Sequence, residues 1–375
     1  MELSLEWDDV EIQSTGPAAP TPALGNDAPG LPISTRKRPL SVGTHFSGWE
    51  SIGQSLASTG VEHRIKWTAE TNSHCKSIIS QNFIVDRMYG DVGSINFESL
   101  EPVDLFAAGS PCPSYSTAGK KQGSADPRGA LLFKTTEFLR VGQPTCFLFE
   151  QVSNIRSKRF GAVWKQWLSE IKAAGYIASW KGMNSHEHGV PQNRPRVYIC
   201  GIRKDCHSVA RPFRGPKRLP KNTNLKAILD KKQGVLHYDY LKSDSKVLKR
   251  NIEFAMKKYP SWKSGSAVTV VDAQAGINFK HATQNYVPCI TASRAKLGGF
   301  LLLRQRRWMT TAELGKCQGF DISVLNTKGV PETELRMMIG NSMTKSVLDR
   351  TLPRLLYSAG LLDEMPIDAW AHGGG

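Results

Sequence analysis

The sequence predicts an α/β fold, a parallel, doubly wound sheet carrying a second, smaller domain. From about Pro39 to Lys204, short apolar runs alternate with amphipathic stretches, the pattern of strands separated by crossover helices. After Lys204 the alternation gives way to a Lys- and Pro-rich region running irregularly to about Asn285. Helical spacing then resumes near the C-terminus.

"LSVGTHF", "IKWTAE", "VDLFAAG", "TCFLFEQV" and "RVYICGI" read as strands, with a weaker one before "YGDVGS". "TNSHCKSIISQNF", "GALLFKTTEFLRVG" and "FGAVWKQWLSEIKAAGY" read as helices; the last places Phe160, Val163, Trp164, Trp167, Leu168 and Ile171 on one face. Beyond the irregular region, "TTAELGKCQGF" is regular again, and "TELRMMIGNSMTKSVLDRTLPRLLYSAG" is expected to be one amphipathic helix. The expected organisation is a leader over 1–35, the sheet domain over 36–203, a small basic domain over 204–320 and a C-terminal segment over 321–375 that returns a helix to the sheet.

The leader is rich in Pro, Ala and Gly and is read as disordered; it holds six acids and no Lys or Arg. The whole chain of 375 residues nevertheless carries a formal charge of +16, and residues 203–263 alone have 17 basic against 5 acidic residues. Such concentration favours a polyanionic partner over a merely solvated face. No apolar run approaches the roughly 20 residues that span a bilayer, and the acidic start is unlike a secretory signal, so an intracellular protein with no membrane partner is expected. The leader and "TRKRP" point towards the nucleus if the source is eukaryotic, and otherwise the cytoplasm. The seven cysteines lack C-x-x-C pairs and zinc spacing, which fits reduced thiols. His186 and His188 in "SHEHG" have no third ligand at a recognisable spacing; they read as surface-loop histidines, and no metal is expected.

In doubly wound sheets, ligands bind beyond the carboxyl ends of the strands. That is where the unusual residues fall. Cys112 in "GSPCPSYS" stands between two prolines directly after a strand, with Ser114 and Ser116 nearby; it is a candidate nucleophile, the other reading being a buried turn thiol. Arg194 and Arg196 in "GVPQNRPRVYI" are candidates to favour its thiolate. Glu150 ends "TCFLFE", where a carboxylate in the crevice can donate a proton or hydrogen bond, or cap the strand end. "HFSGWES" is a strand-to-helix turn, Glu70 ends the second strand where an acid commonly binds a ribose hydroxyl, and Asp91 and Val92 follow the third. "FSGWES" lacks G-x-G-x-x-G, which argues against a dinucleotide and hence an oxidoreductase, and leaves an adenosine-containing cofactor open.

The order of these segments resembles the C5-cytosine methyltransferase family along nearly all of residues 40–360. The resemblance implies a Rossmann-like methyltransferase sheet with a target-recognition domain, S-adenosylmethionine as cofactor and DNA as partner, with the chain acting as a monomer. "FSGWES" looks like the family's first motif, which places Phe46, Ser47, Gly48 and Trp49 at the cofactor. Glu70 then falls on the ribose, and Asp91 with Val92 on the adenine. "GSPCPSYS" is similar to the Pro-Cys motif, making Cys112 the nucleophile, and "DPRGALLF" to the block after it. "FEQV" stands for Glu-Asn-Val, giving Glu150 the cytosine ring; "QNRPR" matches Gln-x-Arg-x-Arg through Gln192, Arg194 and Arg196. "RWMTTAELGKCQGF" and "GNSMTKSV" look like the last two blocks, the second closing Asn341 and Ser342 over the cofactor. Pro113, Gln151, Thr71 and the run Trp49-Glu50-Ser51 depart from the pattern.

The implied activity is methyl transfer from S-adenosylmethionine to C5 of a flipped-out cytosine through a covalent bond from Cys112 to C6. Two alternatives use the same scaffold. One is C5 methylation of tRNA, whose branch carries a Cys-Phe-Thr signature that "CITAS" at Cys289 only approaches; the other is an inactive nucleic-acid-binding homologue.

Overall fold

The computed structural model describes residues 38–111, 127–220, 224–230, 243–279, 282–296 and 298–372; for 127–129 it describes the backbone alone. The chain opens with β1 (Leu40–His45), α1 (Ser51–Ser58), β2 (His63–Ala69), α2 (Ser73–Asn82) and β3 (Val85–Tyr89). It continues through β4 (Leu105–Ala108), α3 (Pro127–Gly142), β5 (Cys146–Val152), α4 (Gly161–Ala173), β6 (Tyr176–Asn184) and β7 (Pro195–Arg203). These strands form one seven-stranded sheet in the order β3-β2-β1-β4-β5-β7-β6.

The first five strands are parallel, as the alternation predicts, but β7 runs antiparallel to both β5 and β6. A wholly parallel sheet is therefore corrected. "YIASWKGMN" forms β6, a strand the sequence patterning does not predict, and the short connection 185–194, holding only a single helical turn at Ser185–Glu187, returns the chain directly beside it with no crossover α-helix to carry it back across the sheet.

Both faces of the sheet are covered. On one, Ile52 and Leu56 of α1 and Leu348, Leu352 and Leu355 of the last helix pack on Val42, Leu105 and Leu148. On the other, Phe138 of α3 and Trp167 and Ile171 of α4 bury an aromatic layer of Trp67, Phe106, Phe147 and Phe149. Continuous apolar strands are what two-sided burial requires.

The second region contains α5 (Leu225–Ile228), α6 (Lys246–Lys258), β8 (Thr269–Asp272), β9 (Ala282–Gln284), α7 (Ala292–Lys296), β10 (Phe300–Leu302) and β11 (Arg307–Trp308). Its strands make a four-stranded antiparallel sheet, β11-β10-β8-β9. α8 (Thr311–Lys316), α9 (Glu332–Asn341) and α10 (Lys345–Ser358) follow. α8 begins with a full capping box, Thr310 and Glu313 exchanging side-chain and backbone bonds. Val270, Phe300, Met309, Leu335 and Met338 share a core with Trp49, Cys75 and Ile78 of the first region, so the two sheets are joined by buried apolar contact.

The single long helix expected over "TELRMMIGNSMTKSVLDRTLPRLLYSAG" is two helices, α9 and α10, parted at Ser342–Thr344. Ser342 adopts extended backbone (φ −65°, ψ 153°) because its carbonyl turns out to meet Arg194. The break lies at the edge of the cavity that opens at the strand ends.

Candidate active site

A cavity of about 420 Å3 opens at the carboxyl ends of β1, β2, β4 and β5. Its walls include Phe46, Ser47, Gly48, Glu70, Asp91, Val92, Glu150, Arg194, Arg196, Asn341 and Ser342, eleven of the thirteen residues singled out from the sequence. The volume is in the range of about 300–1,000 Å3 that small-molecule sites occupy.

The loop from β1 to α1 is wound tightly. Phe46, Gly48 and Glu50 all take left-handed backbone conformations (φ 56°, 58° and 65°), which costs each non-glycine about 1 kcal/mol or more. Hydrogen bonds hold it there. Gly48 N–H donates to Glu70 Oε2 at 2.8 Å, while Glu70 Oε1 accepts from the backbone of Thr71 and Asn72, both at 2.8 Å. Glu70 thus braces the turn after β1 against the turn after β2, besides lining the cavity. Asp91 caps the turn after β3 by accepting from Gly93 N–H at 2.8 Å and stays exposed at the rim.

The polar end of the cavity is built by β5 and β7. Glu150 is nearly buried, and its Oε1 lies 3.1 Å from Arg196 Nε. Beside it, Gln151 Nε2 donates to Ser110 Oγ at 2.9 Å, and Gln151 Oε1 accepts from Val152 N–H at 2.9 Å. The residue that departs from the family pattern ties the end of β5 to Gly109–Pro111, the segment leading into Cys112. Cys112 itself, with Pro113, Ser114 and Ser116, lies outside the described residues. A Cβ at Gly109 would stand 2.9 Å from Met343 Cε and 3.9 Å from Glu150 Oε2, so the bare backbone lets both side chains approach.

Arg194 lines the cavity wall, but its guanidinium is spent on backbone carbonyls. It is 3% exposed, and its guanidinium donates to the carbonyls of Ile290 (2.8 Å), Gly340 (3.2 Å) and Ser342 (2.7 Å). It is a positioning residue that draws α7 and the α9–α10 break to the end of β7. Gln192 does similar work, bonding Cys317 O, Gln318 Oε1 and Ile290 N–H.

Trp49, expected at the cofactor, is corrected as well. Its side chain is fully buried and packs edge-on against Phe320 at 4.8 Å, away from the cavity, because an indole in an exposed turn is better buried in the core that joins the two sheets. His188 is no surface histidine either. It is 1% exposed, lies 2.7 Å from Arg350 Nη1 and is held down to about 3 by burial and by the charges of Arg350, Lys181 and Arg218.

Sequence reasoning missed Thr44, Asn72, Thr291, Ala292, Met338 and Met343, which also line the walls. It also missed the meaning of "CITAS". Cys289 Sγ lies 3.8 Å from a guanidinium nitrogen of both Arg194 and Arg196; burial alone would raise this thiol, but the charges of Arg196 and Arg194 outweigh it and bring it below the usual thiol range. The signal was present, since the two arginines and the cysteine each stand in a quoted motif, but only the fold reveals that they meet.

Residues 41–355 match the profile of the C-5 cytosine-specific DNA methylase family. The chain is 29% identical to the Type II methyltransferase M.NgoBI of Neisseria gonorrhoeae, over 82% of this chain and 90% of that protein. It is 28% identical to the Type II methyltransferase M.HaeII of Haemophilus aegyptius, over 81% and 88%. Among solved structures it resembles a putative DNA modification methyltransferase encoded within an Escherichia coli prophage (TM-score 0.61, 19% identity, 87% of this chain and 100% of that one). It also resembles the Dnmt2 methyltransferase of S. pombe (TM-score 0.58, 14% identity, 85% and 98%); these last two likenesses speak to the fold.

Proposed function

The chain belongs to the C-5 cytosine-specific DNA methylase family, and from that premise we propose that it binds S-adenosylmethionine in the cavity and methylates C5 of a cytosine turned out of the DNA duplex. The observation that carries this reading is the convergence on one cavity of the turn at Gly48, the acids Glu70 and Asp91, the carboxylate Glu150 and the Ser110–Pro111 entry to Cys112.

The residues present suit the cofactor. Two acids at successive strand ends match hydroxyl and amine donors, the floor is apolar through Val92, Ile52 and Met338, and Gly48 leaves its side of the turn open. When bound, the cofactor supplies a methyl group on a positively charged sulfur. Asn341 and Ser342, presented by the α9–α10 break, would close the cavity over it.

Cytosine C5 is too weak a nucleophile to accept a methyl group unaided. Addition of the Cys112 thiolate at C6 makes the ring an enamine, whose C5 then attacks; loss of the C5 proton to a base expels the thiol and restores aromaticity. Glu150 would hold N3 and the exocyclic amine, stabilising the adduct as charge moves onto the ring. Arg196 fixes that carboxylate from one side. Extruding the base costs a few kcal/mol, which phosphate contacts from the basic segment 203–263 would offset.

Purified protein incubated with labelled S-adenosylmethionine and either mixed-sequence duplex DNA or total tRNA tests the reading, with Cys112→Ala in parallel. Label on DNA cytosine that vanishes in the variant is expected. Label on tRNA alone would transfer the activity to RNA, and no label on either would overturn the proposal. Trapping on 5-fluorocytosine DNA should leave a covalent adduct through Cys112, because fluorine cannot depart as the proton does.

A further inference from the structure

We infer that Glu50, a carboxyl buried behind the cofactor loop, is the proton-exchanging counter-charge of the site: it ionises when the positively charged cofactor binds and takes a proton back when the neutral product remains. This rests on the cofactor reading above.

The geometry comes first. Glu50 is completely buried, yet among the described residues no cation acts on it. Its Oε2 lies 2.9 Å from Thr44 Oγ1 and 3.1 Å from Thr68 Oγ1, each placed to donate, and its Oε1 accepts from Gly53 N–H at 3.4 Å as the N-cap of α1. Ser47 Oγ is 2.8 Å from Thr44 Oγ1 and also bonds Thr68 Oγ1, closing a ring of hydroxyls on the carboxyl. Thr44, Ser47 and Ser51 line the cavity wall. Glu50 is therefore one hydrogen bond behind the surface that the ligand would touch.

Electrostatics then selects the role. Hydroxyls and one amide do not repay the burial of a full charge, so burial raises this carboxyl to about 7 against the bonds from Thr44, Thr68 and Gly53, and the charge of Glu70, in the turn after β2, pushes the same way. Among the described residues, Glu70 is the one charged group acting on it; β1, the turn at Ser47 and α1 present hydroxyls and amides alone. A buried site this short of positive charge is completed by a ligand that brings its own. A sulfonium does so. The thioether left after methyl transfer does not.

The proton goes to and comes from bulk buffer, with no other bond made or broken. At pH 7 a group held near 7 is about half protonated, so cofactor binding should release on the order of half a proton from Glu50, and product binding close to none.

Calorimetry of S-adenosylmethionine and S-adenosylhomocysteine binding, in buffers of different ionisation heat at pH 7, counts those protons. Glu50→Gln keeps the cap and the acceptor oxygen, and subtracting it removes protons from the cofactor's own amine. The expected result is a release on binding S-adenosylmethionine that is larger in the wild type than in Glu50→Gln, with equal values for the product. In the wild type alone, the infrared carbonyl band of a buried protonated carboxyl should fade with S-adenosylmethionine and persist with the product, which serves should the variant fail to fold. Binding with equal proton counts, or a band indifferent to the ligand, overturns the assignment of Glu50 and leaves the cofactor reading standing. Failure of the wild type to bind either molecule overturns both.

Discussion

Arg196 Nε stands 3.1 Å from Glu150 Oε1, reached diagonally across the antiparallel pairing of β7 with β5. Both side chains are about nine-tenths buried at the cavity (12% and 11% exposed), so each holds the other in place where water screens little. Glu150→Gln should lower the single-turnover rate by about 10²–10³, the usual cost of one stabilising group at a developing charge. Arg196→Ala should act in the same direction, and the double variant should cost less than the product of the two. Additive losses in that cycle would show that the residues act independently.

Arg194→Ala should cost stability first and cofactor affinity second. Removing a buried guanidinium bonded to three carbonyls leaves those groups unpaired, a loss of about 3–5 kcal/mol measurable by denaturant unfolding. Arg194→Lys should recover little, because a single ammonium cannot reach carbonyls arranged for a fork.

Two glycines should respond differently to alanine. At Gly340 the added Cβ would lie 2.4 Å from Ala292 N, a backbone atom held in α7, so about 1–3 kcal/mol of stability should be lost. At Gly109 the obstacle is the flexible end of Met343, so unfolding should change little while ligand affinity falls as the displaced methionine enters the cavity.

Trp49→Ala should destabilise by about 3–5 kcal/mol through the cavity it opens beside Phe320. Trp49→Phe should fold and bind the cofactor with wild-type affinity. A large loss of affinity in that variant would return Trp49 to the cofactor site.

Stability should fall in acid. Burial holds His45 and His188 down to about 3, against about 6.5 in the unfolded chain, so both are neutral in the fold. Nothing is lost above pH 6.5, where both states are neutral; as pH drops from 6.5 towards 3 the unfolded state gains protons that the fold refuses, and stability declines. Among the described residues, neither ring nitrogen of His45 has a hydrogen-bond partner, and the ring sits among Trp67, Phe97, Phe106 and Phe138. His45→Phe should therefore raise stability at pH 7 and flatten the acid limb of the unfolding curve.

Six strands of the large sheet and the helices after β2, β4 and β5 were legible in the chain because their periodicity is local, whereas β6 and the short strands of the second sheet were not. "TCFLFE" must be buried on both faces wherever it lies, and the acids and turns at strand ends must gather at one edge of any sheet those strands form. Partner choice is not local. β7 pairs antiparallel with β5, Arg194 spends its donors on carbonyls about 100 to 150 residues away, and Trp49 abandons its turn for a core shared with Phe320; none of these follows from neighbours in sequence. The same holds for the break between α9 and α10 and for the meeting of Cys289 with two arginines. A hydrogen bond or a burial preference is satisfied by whatever the fold brings within reach, and only the folded chain decides what that is.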